Sequence, residues 1–533
     1  MDRATSMGKD SAKGSLQLFI GRTLSTLIMA VGSIILALII SPGDLGLYAI
    51  ALIPATTFAL FQDWGVNSAI IKYCAQFRAK EKDEKEIGQV ILSGLTFEIT
   101  TGIILTVISI LTANFVAVLL HRPDAVLLIS LASLTILSGS ILGSAQAVFV
   151  GCERMVLITY GMIVQAVGQC VLPVFLVYEG YGALGAVLGY VLSTISACIF
   201  ASLLLYFGIL RKLHVNLTKQ INFRQNLRPL LNYGIPLATG TIIGSIVTQV
   251  SSFIIPSVAN NAMIGNYKIA INFAIILTFF TAPITTVLFP AFSKIDPHSE
   301  SSVLKTVFSA SVKYASLFLL PATMAMMVLS KSIVSTIYSD KYPYAPYLLS
   351  LYIIVNLFVI FGSLSSSNLL SALGETKLLM KLNLAALFIG LPLAFFLIPL
   401  LGIPGMIITS FSAGLPGLFF ILYWLWKNYK IKLEFKSPLK IFISSLVAAI
   451  VTFVYLTFIS APAWLLLITG LALFLLVYLV AIPISGAVSQ DDINNLRTML
   501  LGMGWMSKIL EIPLSFIERL LRKFLPTKKQ SEN

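Results

Sequence analysis

Long apolar runs recur along this chain, each separated from the next by a short polar connection. A run of about 20 mostly apolar residues is what an α-helix needs to cross the hydrocarbon core of a bilayer. The pattern predicts such spans at roughly 16–40, 45–62, 88–111, 126–150, 155–178, 182–209, 234–256, 264–290, 307–330, 345–372, 379–400, 404–426, 439–460 and 463–485. Pro54, Pro173, Pro283 and Pro392 fall inside spans. Membrane helices tolerate this because neighbouring helices re-satisfy the freed backbone groups. The expected fold class is therefore an all-α polytopic membrane protein with about 14 transmembrane helices.

The connections alternate in charge. KYCAQFRAKEKDEK, RKLHVNLTKQINFRQNLR and KNYKIKLEFKSPLK are basic, whereas SPGDLG, VYEGYG, VANNAMIGN and SAPAW carry no lysine or arginine. Of the 36 lysines and arginines, only Arg22, Arg122, Lys268, Lys331 and Lys341 fall outside the segments assigned to one side. Basic loops remain in the cytoplasm, so both termini are expected there, in a multi-pass protein of the cell membrane. The basic start MDRATSMGKDSAKGS has no small-residue cleavage pattern after its apolar run, and reads as leading into a retained first span.

After the last span, Ser489 and Asp492 resemble a helix-start capping box, and Leu496, Met499, Leu500, Met503, Ile509 and Leu510 recur at helical spacing until Pro513. Two readings stay open for this basic amphipathic tail: helices lying on the inner membrane surface, or a segment docked on the cytoplasmic loops.

Composition narrows the chemistry. The 533 residues are 57% hydrophobic and 11% charged, and no polar connection is long enough for a soluble catalytic domain. A net charge of +14 would point to nucleic acid in a soluble protein. Here it lies in short loops beside apolar spans and points to anionic lipid headgroups, so no nucleic-acid partner is expected. The four cysteines, Cys74, Cys152, Cys170 and Cys198, form no metal-type pair and read as free thiols. His121, His214 and His298 are widely separated, so no metal site and no cofactor are expected. No phosphate-binding Gly-x-x-x-x-Gly-Lys-Ser/Thr loop occurs, so energy would come from an ion gradient, the membrane potential or consumption of the product.

The chain also repeats itself. GDLGLYAIAL opens the second span and MIGNYKIAI the eighth, placing Tyr48 and Tyr267 at an offset of 267 − 48 = 219. YGALGAVLGY opens the sixth and LGIPGMIIT the twelfth, with Gly182 and Gly402 at 402 − 182 = 220. Six spans separate the copies, so both have the same orientation. Transporters built from parallel repeats bind substrate between the halves, near the midplane.

The stretch SPGDLGLYAIALIPATTFALFQDWGVNSAIIKY, the paired Gly-x-Tyr starts and the GETK turn before span eleven resemble the polysaccharide-biosynthesis flippases. These are the Wzx-type lipid-linked oligosaccharide flippases of the multidrug/oligosaccharidyl-lipid/polysaccharide exporter superfamily. The resemblance covers roughly 15–485. It implies two six-helix lobes, 1–210 and 211–430, two additional helices over 431–487 and a tail over 488–533. It also implies a non-enzymatic transporter that moves a polyprenyl-(pyro)phosphate-linked oligosaccharide from the inner to the outer leaflet by alternating access, acting as a monomer. Candidate partners are the lipid-linked glycan, a coupling ion (H+ or Na+), membrane lipids and glycan-assembly enzymes. Competing readings are a drug or cation antiporter of the same architecture and a polyprenyl-dependent membrane glycosyltransferase. The latter is disfavoured by outer loops offering only isolated Asp44, Asp124, Glu179 and Asp340.

Flipping breaks no bond. It needs a polar cavity for the headgroup, and cations to offset the cost of burying phosphate. Arg22 and Lys268 are the cations within spans, and arginine's planar fork suits phosphate oxygens. Related lipid II flippases similarly carry cavity arginines, including on the first span. The bland alternative for both residues is snorkelling to headgroups. Tyr48, Tyr267, Gln165 and Asn272 are candidates for a sugar pathway, against a role in helix packing. Glu98 and Asp63 are candidates for ion coupling; Asp63, at the inner end of span two, could instead cap a turn. Glu153 with Arg154 and Glu375 with Lys377 are expected as loop ion pairs.

Overall fold

The computed structural model describes residues 2–79, 84–211, 223–279, 281, 288, 292–297, 299–500, 511 and 514–521. Its regular elements among the described residues are all helical. They are α1 (Asp2–Ile39), α2 (Pro42–Ala59), α3 (Val66–Ala79), α4 (Glu84–Leu111), α5 (Ala113–Leu119), α6 (Val126–Gly151), α7 (Met155–Leu176), α8 (Gly182–Leu205), α9 (Phe223–Val258) and α10 (Asn261–Ala274). There follow α11 (Ser301–Val328), α12 (Ser330–Tyr338), α13 (Ala345–Ile353), α14 (Ser363–Ala372), α15 (Thr376–Leu401), α16 (Ile403–Tyr429), α17 (Lys436–Phe458), α18 (Ala463–Ser485) and α19 (Gln490–Leu500).

Among the described residues, ten helical runs are long and apolar enough to cross a membrane, or eleven if the pair Ala345–Phe361 and Ser363–Ala372, bent by 61°, is one span. The run Met155–Leu210 holds 56 residues, about 84 Å of helix, far more than one crossing. Gly180 (φ 92°) and Gly182 (φ 51°) turn it back at 177–182, so α7 and α8 are two elements of a hairpin. The eighth expected span, 264–290, is seen as α10 and the turn Ile275–Leu277; most of 280–291 lies outside the described residues. The copies repeat in detail as well: short α5 follows α4, and short α12 follows α11.

Two compact units account for the chain. Residues Met1–Lys268 with Leu387–Ser410 form the first, and Ile269–Ala386 with Phe411–Asn533 the second. Within the first, Val66, Ile70, Ile91, Leu142, Val148, Phe149 and Ala197 form a buried core drawn from α3, α4, α6 and α8. The second is centred on Phe292, Leu304, Phe308, Leu369, Leu370 and Leu425. There the Tyr478 hydroxyl of α18 donates to the Leu317 carbonyl of α11 at 2.8 Å, satisfying a polar group buried in the helix seam.

The tail segment α19 is docked on α11. The Ser489 hydroxyl accepts from the Asp492 N–H at 3.3 Å and the Asp492 carboxylate accepts from the Ser489 N–H at 2.7 Å, which is the expected capping box. The same carboxylate accepts from Lys313 Nζ at 2.6 Å and from the Tyr314 hydroxyl at 3.4 Å. Burial pushes the Asp492 carboxyl up, but the bonds from Lys313 and Ser489 outweigh it and hold the group below the usual carboxylate range. Arg497 reaches Glu511 and Glu518, each at 2.7 Å. Residues 501–510, with Met503, Ile509 and Leu510, lie outside the described residues.

Candidate functional site

The helical path of span two does not end with its apolar run at residue 62. The helix breaks over Leu60–Gly65 and resumes as α3, so Asp63 stands at an interruption between two helical segments. The break is enforced by backbone. Trp64 (φ 47°) and Gly65 (φ 77°) adopt left-handed conformations. A Cβ on Gly65 would lie 2.2 Å from the Gly234 carbonyl of α9, and one on Gly234 would lie 2.6 Å from backbone atoms of Trp64 and Gly65. Two glycines thus let α9 cross the break with main chain against main chain.

Asp63 fills the orphan position at the start of α3: its Oδ1 accepts the Asn67 N–H at 2.8 Å. The Thr101 hydroxyl of α4 reaches the Gln62 carbonyl at 3.1 Å and fastens the break to α4. One turn before Thr101 is Glu98, midway along α4 and fully buried. The Ser140 Oγ of α6 lies 2.7 Å from Glu98 Oε2 and 2.8 Å from the Glu98 carbonyl. The single Ser140 hydrogen is shared between these two oxygens, so one hydroxyl holds the Glu98 carboxyl against the backbone of its own helix. Asp63 is the acidic group whose charge and hydrogen bonding act on Glu98. Glu98 Oε1, Gln62 Oε1 and Asn67 Oδ1 are buried acceptors without a partner of ordinary hydrogen-bond geometry among the described residues. A carboxyl pair with unfilled acceptors in an apolar bundle can take up a proton or a small cation. No cluster of three or more His, Cys, Asp or Glu is positioned to hold a metal among the described residues.

A second feature lies at the α2 and α10 starts. A Cβ on Gly46 would sit 1.8 Å from the Asn261 carbonyl, and one on Gly265 would sit 2.1 Å from the Pro42 carbonyl. The 219-residue offset that relates Tyr48 to Tyr267 also relates Pro42 to Asn261 and Gly46 to Gly265. The two contacts are therefore the same contact made reciprocally, as an approximate two-fold axis between the repeats requires. Arg122 bolts the same end. Its Nε donates to Asn261 Oδ1 at 2.6 Å and its Nη2 to the Ala259 carbonyl at 2.8 Å. At the opposite end of α2, the Thr57 hydroxyl donates to Gln249 Oε1 of α9 at 3.0 Å.

The other sequence candidates are spread apart. Arg22 is exposed on α1, and its carbonyl accepts from the Thr26 hydroxyl at 2.8 Å. Tyr48 is buried and packs edge to face on Tyr190 with ring centroids 6.3 Å apart, which leaves its ring inside the first unit. Gln165 is partly buried on α7. Tyr267, Lys268 and Asn272 are partly buried on α10, where Lys268 and Asn272 share a face at i,i+4 spacing. Glu153 pairs with Arg78 at 3.2 Å, not with its neighbour Arg154: its left-handed φ of 56° closes the α6–α7 turn. Ser140, Arg122 and the Gly65–Gly234 crossing were not singled out from sequence. The one available signal was the polar pair Gln62-Asp63 before Trp64 and Gly65, where the apolar run stops.

Comparison with known proteins supplies a context for this geometry. A family model described as polysaccharide biosynthesis protein matches residues 35–345. The chain is 26% identical over 372 residues to the lipopolysaccharide biosynthesis protein WzxC of Escherichia coli (strain K12), covering 67% of this chain and 69% of that one. It is 22% identical over 276 residues to the probable low-salt glycan biosynthesis flippase Agl15 of Haloferax volcanii, covering 51% and 57%. Among solved structures it is similar to the lipid II flippase MurJ in an inward closed conformation, with TM-score 0.70, 18% identity, and 87% and 98% of the two chains covered. It is also similar to an inward-facing multidrug resistance MATE family transporter of the MOP superfamily, with TM-score 0.61, 15% identity, and 78% and 99% covered.

Proposed function

Because this chain belongs to the polysaccharide biosynthesis protein family, we propose that it flips a polyprenyl-(pyro)phosphate-linked oligosaccharide from the inner to the outer leaflet of the cell membrane. Both termini are cytoplasmic in this reading, and the end carrying Gly46, Arg122 and Gly265 faces outward. The observation that carries it is the reciprocal closure of α2 on α10. Helices from the two repeats meet there through four backbone segments, held by hydrogen bonds from one arginine. A contact of this kind can part and re-form without unfolding either helix, which is what alternating access needs. The relatives named as a lipopolysaccharide biosynthesis protein and a glycan biosynthesis flippase support the substrate class.

No bond is made or broken in this process, so the protein's work is to lower the cost of moving charge and hydroxyl groups through hydrocarbon. Arg22 and Lys268 supply cations for phosphate oxygens; Tyr267, Gln165 and Asn272 supply hydrogen-bonding and aromatic surface for sugar. Tyr48 takes a packing role beside Tyr190. Glu98 with Asp63 is the coupling pair. Its charge state biases the α2–α3 break, through Asn67 and the Gln62 carbonyl, and hence the helix that forms the outer closure. The ion is a proton or Na+.

The test is reconstitution of the full chain with a fluorescent polyprenyl-pyrophosphate oligosaccharide in liposomes, reading how fast an impermeant quencher gains access to the labelled headgroup. Protein-dependent transfer, lost in Arg22→Ala with the protein still folded, supports the reading. Absence of transfer with cation extrusion in the same vesicles would establish the antiporter in its place.

A further inference from the structure

Cys74 and Cys152 stand 78 positions apart and read from sequence as unrelated free thiols, but the first unit brings them together. Gly151 ends α6 where that helix crosses α3. A Cβ on Gly151 would stand 2.8 Å from Cys74 Cβ and 3.3 Å from the Ile70 carbonyl. This close crossing places the next residue, Cys152, beside Cys74, near enough for each thiol to perturb the other. Arg78, one turn beyond Cys74 on α3, fixes the turn by donating to the Cys152 carbonyl and pairing with Glu153. The pair is unequal in access: Cys74 is 1% exposed, whereas Cys152 lies partly open at the turn. It is unequal in chemistry too. The neighbouring Cys74 thiol, then the charges of Arg78 and Arg154, lower the Cys152 thiol against the opposing effects of burial and Glu153. An accessible, acidic thiol beside a buried second thiol is the arrangement of an attacking and a resolving cysteine.

We propose that Cys74 and Cys152 form a reversible dithiol–disulfide couple in which Cys152 reacts first with small anionic disulfides of the glutathione class. The Cys152 thiolate attacks one sulfur of the small disulfide, forming a mixed disulfide and expelling one thiolate. The Cys74 sulfur then attacks Cys152 sulfur, closes the protein disulfide and expels the second thiolate. The protons of the two protein thiols end on the two released thiols. Two protein thiols are oxidised, and one small disulfide is reduced to two thiols. The product staples α3 to the α6–α7 turn. Neither the site nor this chemistry depends on what the protein transports.

The test treats the purified full chain, in detergent, with oxidised glutathione, counts the remaining thiols and maps cross-linked peptides by mass spectrometry. The wild type is expected to lose two of its four thiols to a Cys74–Cys152 bond, with Cys170 and Cys198 unmodified. Cys74→Ser should trap glutathione on Cys152, and Cys152→Ser should leave Cys74 unmodified. Cys152 should react about tenfold faster than Cys170. Retention of all four thiols by the wild type, or equal reaction of Cys152 and Cys170, overturns the proposal. Either result is read on the unmutated chain, so a variant that misfolds cannot shelter it.

Discussion

Replacing Gly46 by alanine tests the reciprocal closure most directly. The added methyl would sit 1.8 Å from the Asn261 carbonyl, where ordinary contact begins at 3.4 Å. The α2 start and the α10 start must therefore separate by 3.4 − 1.8 = 1.6 Å, and backbone on the opposing side offers no rotamer by which to yield. Overpacking of this kind costs about 1–3 kcal/mol. Alanine also gains about 1 kcal/mol of helix propensity over glycine. That gain is present whether the closure is shut or open, because α2 is helical in both, and so it cancels. The ratio of closed to open should fall about 5–150-fold. Gly265→Ala should act in the same direction, and Arg122→Ala should add to it by removing the bonds to Asn261 and Ala259. Gly43→Ala is the internal control: it lies on the same helix, and the nearest atom to its added methyl is Ser41 Oγ at 3.9 Å. Hydrogen exchange over 42–50 and 261–268 reads the closure. Both segments should lose protection together in Gly46→Ala and remain protected in Gly43→Ala. Equal protection in Gly46→Ala and wild type, or equal loss in the two alanine variants, would refute the reasoning.

Glu98→Gln keeps the shape and the Ser140 contact but removes the exchangeable proton, so transport should lose its response to an imposed pH or Na+ gradient while the melting temperature holds; an unchanged response removes Glu98 from coupling. Glu98→Ala should instead cost about 2–4 kcal/mol through the buried cavity it leaves, Ser140 keeping its bond to the residue-98 carbonyl, read as a fall in melting temperature. Asp492→Asn should loosen α19 from α11 by about 1–3 kcal/mol, read as faster proteolysis of the tail. The pH dependence follows from the lowered Asp492 carboxyl: docking is at full strength above the unfolded-chain value of about 3.9 and is lost as pH falls through the lower folded value, so tail proteolysis should be flat from neutral pH to about 4 and rise below it. Gly65→Ala combines a left-handed backbone with a methyl 2.2 Å from the Gly234 carbonyl, so it should cost about 3 kcal/mol or more and lower the yield of folded protein.

What the sequence made legible, and what it did not, divides along a physical line. Hydropathy records which side chains meet lipid, so the all-helical membrane architecture could be read directly. The repeat was visible because Gly46 and Gly265 do one job in two copies, and a backbone contact admits only one residue type on either side. The same repeat leaves two roles open at Tyr48. A residue that recurs in both copies looks functional, yet packing against Tyr190 also explains its presence. The α2–α3 break was hidden for a different reason. VNSAIIKYCAQFRA has a mean hydropathy too low for a span, so the fall after Phe61 reads as the end of a crossing when the helix in fact resumes at Val66. Asp63 was accordingly assigned to the end of a span, and although it was named with Glu98 as a candidate for ion coupling, nothing local placed the two side by side. Pairings across 42 positions, as for Glu98 and Ser140, or across 74, as for Arg78 and Cys152, leave no periodic trace; local reading prefers the neighbour and so matched Glu153 with Arg154.

The break also gives a reason for two carboxyl groups to be set here. A continuous α2–α3 helix would satisfy its own backbone and need no side chain from α4. Interrupting it leaves the Asn67 N–H to Asp63 and the Gln62 carbonyl to Thr101, so the geometry of the joint rests on side chains one turn from Glu98. In the proposed coupling a charge placed on Glu98 would act on Asp63, the acidic group whose charge bears on it. Repulsion there competes with the bond that caps α3, and α2, whose far end carries Gly46, is the lever on the other side of the joint. Asp63→Asn separates this account from a purely structural one. The amide can still cap α3 through its oxygen but cannot repel a charged Glu98, so the protection factor over 42–50, taken against the intrinsic exchange rate at each pH, should become independent of pH with the fold retained. Loss of the fold on that substitution, or an unaltered pH response, would leave the carboxyl pair without a route to the closure.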